Sequence, residues 1–155
     1  MSWTWEKYLD LLRELDVLFG QMTAVEQAKT EAVCRGDLQT VNDCIKKEQA
    51  MSLSLRGCDK KREEALQALG IENIKLSQLA AHAPENLRQE TRQIADDVFR
   101  QYTVLRAANE VAQNTLECNL REIDKVLSGA QQAPKNESSE NNAESVPHKK
   151  TDFRV

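Results

Sequence analysis

The chain has 155 residues, a length that suits one domain. Ala, Glu, Lys, Leu and Arg supply 70 of them and Gly and Pro only 8, a bias toward long helices that excludes turn-rich β sandwiches and barrels. The formal charge of −4 comes from interleaved signs, so neither a nucleic-acid footprint nor a polybasic membrane patch is expected.

No segment approaches the roughly 18 consecutive apolar residues of a membrane span. The start, Met1-Ser2-Trp3-Thr4-Trp5-Glu6, lacks the basic region and apolar core of a signal peptide. A cytoplasmic protein without membrane insertion is the expectation. Cys34, Cys44, Cys58 and Cys118 show no Cys-x-x-Cys spacing, so they are expected to be small buried or half-buried thiols rather than metal ligands.

The first helix is expected over residues 3–34. Trp5, Tyr8, Leu12, Leu15, Phe19 and Met22 recur at three and four residues, and Leu11, Leu18, Val25 and Ala32 form a second row at sevens. Two rows make an apolar stripe wide enough for more than one neighbour. Gly20 falls inside this pattern, where it is expected to permit a close approach. The break Arg35-Gly36-Asp37 then offers glycine for a left-handed C-terminal residue and aspartate for the next N-cap.

A second helix follows from about Leu38 to Leu69, with Leu38, Val41, Ile45, Leu55, Leu66 and Leu69 on its inner face. That face is imperfect. Glu48, Ser52, Asp59 and Arg62 occupy heptad positions where apolar groups belong, and Met51 and Cys58 carry the stripe across the weak middle. Leu69-Gly70-Ile71 has the form of a glycine-terminated helix. Residues 72–83 read as a connector with one short helix, and Pro84 suits the start of the next.

The last helix is expected over residues 85–128. Its stripe is Leu87, Thr91, Ile94, Val98, Tyr102, Leu105, Asn109, Ala112, Leu116, Leu120, Ile123 and Leu127, spaced as in a nearly straight α-helix. Residues 129–155 are polar and proline-containing, a composition that predicts a disordered tail. Phe153-Arg154-Val155 at its end could form a short docking motif, set against an inert ending.

These lengths predict an all-α fold: an antiparallel bundle of three long helices plus one short connector helix, occupying residues 1–128. The first two helices are matched in length, whereas the last overshoots them by roughly 18 Å at 1.5 Å per residue. Leu116, Leu120, Ile123 and Leu127 would then lie exposed, which calls for a partner. Asn114 and Asn119 flank this stripe and could add hydrogen bonds at its margin.

Catalytic chemistry is not indicated. His82 and His148 have no companion ligands at metal spacing, and Glu63-Glu64 and Asp96-Asp97 are adjacent pairs that diverge around a helix. No cofactor or metal is implied, and the chain does not read as an enzyme.

Several features in order carry a resemblance to a known family. They are the leucine-rich first helix, the break Arg35-Gly36-Asp37-Leu38, the run Lys60-Lys61-Arg62-Glu63-Glu64-Ala65-Leu66-Gln67-Ala68-Leu69-Gly70-Ile71, the connector with Leu76 and Leu79, and Asn109-Glu110-Val111-Ala112-Gln113-Asn114-Thr115-Leu116. Over residues 5–128 the chain resembles the FlgN family of flagellar export chaperones. The resemblance implies a cytosolic type III export chaperone that binds flagellar hook-associated proteins of the hook-filament junction. Such a chaperone prevents premature assembly, delivers its client to the export gate, and places client binding on the C-terminal amphipathic part. The Trp3/Trp5 start and the Phe153-Arg154-Val155 ending have no counterpart in that pattern. Two other roles fit the same helices: a structural coiled-coil or tethering subunit, and a regulator that sequesters a transcription or translation factor. A homodimer is compatible with an exposed stripe.

Overall fold

The computed structural model describes residues 2–131, with side chains through Gly129. The C-terminal segment from residue 132, including Phe153 and Val155, lies outside the described residues. Four α-helices follow one another: α1 (Trp5–Arg35), α2 (Leu38–Ala68), α3 (Leu79–His82) and α4 (Arg88–Gln131), with single 3-10 turns at Leu76–Gln78 and Glu85–Leu87. The described residues contain no strand, and none of their helices is long and apolar enough to cross a membrane.

Local chemistry sets the helix ends. Thr4 caps α1 by accepting from the Lys7 amide at 3.2 Å, which satisfies one of the orphan donors of the first turn. Gly36, at φ +70, closes α1 in the left-handed region. The Asp37 amide there donates to the Ala32 carbonyl at 2.9 Å. Asp37 then caps α2 through the Thr40 amide at 3.1 Å. At the other end Gly70, at φ +73, lets the Ile71 amide reach back to the Leu66 carbonyl at 2.9 Å. Both glycine breaks therefore match the sequence expectation. The last helix differs at both ends, since residues 85–87 form a 3-10 turn and the helix continues through Gly129 to Gln131.

The two rows of α1 are used on two sides. Trp5, Tyr8, Leu12, Leu15 and Phe19 are buried, and so are Leu11, Val25 and Ala32. All but Val25 and Ala32 join Leu55, Ala65 and Leu66 of α2 and Ile94, Val98 and Leu105 of α4 in one core. The aromatic rings of Phe19 and Tyr102 sit 5.8 Å apart. The connector covers the start of α4 through the buried Leu76, Leu79 and Ala83. Truncating a fully buried leucine of this core to Ala would cost on the order of 2–5 kcal/mol.

α1 is the central helix. The register of Trp5 with Thr91 and of Val33 with Asn119 shows that α4 runs parallel to α1, whereas α2 returns antiparallel to both. No Cα of α2 comes within 8 Å of one of α4. Burial on α2 is sparse toward the hairpin tip: Leu38 is 75% exposed and Ile45 is also exposed, contrary to their inner-face assignment. α2 packs on α1 alone among the helices, so only a narrow face of it is covered. Gly20 also departs from expectation. A Cβ there would meet only Gln101 Oε1, at 3.8 Å, an ordinary contact, so the packing does not require glycine.

Candidate functional site

A single apolar stripe runs the length of α4 and changes character partway. Thr91, Ile94, Val98, Leu105 and Ala112 are buried against the rest of the bundle. Residues spaced by 3.6 share a face, so the same face continues into Leu116 (38% exposed), Leu120 (54%), Ile123 (48%) and Leu127 (52%). The cause is the difference in helix length. α1 ends at Arg35, level with about residue 121 of α4 by the Val33–Asn119 register, and the remaining turns project about 15 Å beyond it. Every residue from Leu120 to Gly129 is exposed.

The two asparagines fall in different places. Asn119 Nδ2 donates to the Val33 carbonyl at 3.2 Å, so it fastens α4 to the last turn of α1. Asn114 is exposed, and two residues of helix carry it about 200° around from Leu116. It therefore lies on the opposite side of α4 and does not border the stripe. Val126, also exposed, widens the apolar surface about 80° from its centre. Glu117 and Asp124 stand on the other flank.

A polar layer lies below this overhang. Glu26 of α1 is buried. Lys29 Nζ approaches Glu26 Oε2 at 3.4 Å and Glu48 Oε1 of α2 at 2.6 Å. In the amide orientation that satisfies both groups, Asn109 Nδ2 of α4 donates to both Glu26 oxygens at 3.2 Å. Burial, reinforced by Glu48, pushes the Glu26 carboxyl up to about 7, against the pull of Lys29. Burial opposes the Lys29 charge, yet the two carboxyl groups hold its ammonium above the ordinary value. The sequence carried the signal, because the first α1 row continues from Met22 to Glu26 at apolar spacing, as Asn109 interrupts the α4 stripe.

Trp5 Nε1 donates to the buried Thr91 hydroxyl at 2.9 Å, which gives the tryptophan-rich start a structural role. At the same end Arg13 pairs with Asp10 and with Glu90. Cys44 is buried and Cys58 half-buried, while Cys34 and Cys118 are exposed. The exposed pair departs from the expectation of covered thiols, since both lie on outward faces near the hairpin tip. Among the described residues no three His, Cys, Asp or Glu side chains are grouped to hold a metal.

No curated protein and no solved structure matches the chain. The family model described as FlgN protein matches residues 1–142. That match spans the whole bundle, the projecting end of α4 included, and the chain belongs to the FlgN family.

Proposed function

We propose that this chain, a flagellar export chaperone by family, holds a helical segment of a hook-associated protein on Leu116, Leu120, Ile123 and Leu127. In this reading the complex keeps a hook-filament junction protein from assembling early and presents it to the export gate. The supporting observation is the α4 stripe, whose apolar face is buried at Ile94, Val98, Leu105 and Ala112 and open from Leu116 onward. A helix face that already packs on α1 has the spacing and shape to accept a second helix in line with it.

Energetics favour a partner there. Covering a fully exposed leucine-sized side chain contributes about 1.5–3 kcal/mol. These four are 38–54% exposed, so about half of that remains for each, and together they offset part of the entropy cost of docking one helix. Asn119 keeps the base of the site in register while its own amide stays on Val33. Without a client, the same stripe can pair with a second copy of the chain, so client binding and homodimerisation compete.

Calorimetry with a hook-filament junction protein tests this reading. The full chain should bind saturably, and a chain ending at residue 115 should fold but lose binding. Undiminished binding by the shortened chain would contradict the assignment.

A further inference from the structure

We propose that Glu26, Lys29 and Glu48, with Asn109, form a proton-operated latch that holds the tip half of α2 on α1 and loosens as the pH rises. The latch is independent of what the α4 stripe binds.

Two carboxyl groups from two helices share one ammonium. Lys29 Nζ lies 2.6 Å from Glu48 and 3.4 Å from Glu26, and Glu26 is only 7% exposed. From α4 the facing group is the uncharged amide of Asn109. With both carboxyls ionised, the cluster carries an excess negative charge in a site largely closed to water, which is costly. A proton on Glu26 removes that excess and gives Glu26 a donor toward Glu48. The upward displacement of the Glu26 carboxyl to about 7 agrees with this picture. On deprotonation the two carboxylates repel, and Lys29 alone bridges them.

The effect is directed at α2. With the Glu26 proton directed at Glu48, the other Glu26 oxygen still accepts from the Asn109 amide, as it does when the acid is ionised. The α4 side of the cluster is therefore satisfied in both states, and the α2 side is not. The tip half of α2 is also thinly held. Between Leu38 and Ser54 only Cys44 is buried, with Thr40, Val41, Glu48 and Met51 half-buried. The base half is secured by Leu55, Arg62, Ala65 and Leu66. Losing the latch thus opens the tip while the base stays in place, as local unfolding requires.

Hydrogen exchange on the full chain tests the latch, with times scaled for intrinsic amide rates. Between about pH 6 and about pH 8, protection of residues 38–54 should fall about tenfold, while that of 55–68 and of α4 up to residue 112 holds. Glu26→Gln keeps the size and a donor toward Glu48 but cannot titrate, so its protection over 38–54 should be the same at both pH values. Glu48→Gln, which removes the facing charge, should also blunt the fall and serves if the first variant does not fold. A wild-type chain with pH-independent protection over 38–54 would overturn the proposal. So would an undiminished fall in a folded Glu26→Gln or Glu48→Gln variant.

Discussion

The side-chain amide of Asn119 donates to the backbone carbonyl of Val33 at 3.2 Å, and this bond marks where α4 parts from the hairpin. The last buried residue of the stripe, Ala112, lies below it, and above it each residue through Gly129 is exposed. The same carbonyl accepts from the Gly36 amide at 3.1 Å, so the Asn119 amide adds a second donor at the capped end of α1 and ties α4 to it.

The bond from Trp5 Nε1 to the Thr91 hydroxyl joins the start of α1 to the start of α4, 86 residues apart. Thr91→Val keeps the shape and removes the acceptor, leaving a buried indole N–H unpaired. The cost should be about 1–3 kcal/mol, read as a lower urea midpoint with an unchanged denaturant slope.

Gly20→Ala should stabilise the chain. The new methyl group meets only Gln101 Oε1, at 3.8 Å, and the helix gains the propensity difference of about 0.5–1 kcal/mol. Thermal unfolding monitored by circular dichroism should show a higher midpoint. A lower one would mean that α1 and α4 approach more closely than this geometry.

Helix order, both glycine breaks and the long last stripe were legible in the sequence, because 3.6-residue periodicity and left-handed C-caps are local signals. The length mismatch that leaves Leu116 to Leu127 open was legible too, since helix length is simple arithmetic. The two rows of α1 called for more than one neighbour, and α1 packs on both α2 and α4. That these two stay apart was not legible; it is a choice made by tertiary packing, and it leaves Leu38 in water despite its inner-face position. Asn114 was misplaced for a simpler reason: nearness in sequence to Leu116 puts it across the helix rather than beside the stripe. Glu48 and Asn109 stood out as polar residues on apolar rows; Glu26, one turn past Met22, did not, and only the fold brings the three together.

Stability should depend on pH through Glu26. Its carboxyl, raised from 4.5 to about 7 in the folded chain, binds a proton more tightly folded than unfolded. Its contribution is therefore complete below about pH 4.5 and lost as the pH rises through about 7. Between about pH 5 and about pH 8 the wild-type chain should lose about 2 kcal/mol relative to Glu26→Gln, where each tenfold change in proton affinity corresponds to about 1.4 kcal/mol. Urea titrations of both chains at the two pH values check this. A constant difference between them would show that Glu26 titrates normally.

The central claim is that the open α4 stripe is a binding surface and not core. Its most direct test measures affinity for a hook-filament junction protein and unfolding free energy together, for Leu120→Ala and Ile123→Ala. Each substitution should weaken binding by about 1–3 kcal/mol and change stability by less than about 0.5 kcal/mol, as exposed sites do. Unchanged affinity with a bundle destabilised by several kcal/mol would contradict the account and place the client elsewhere.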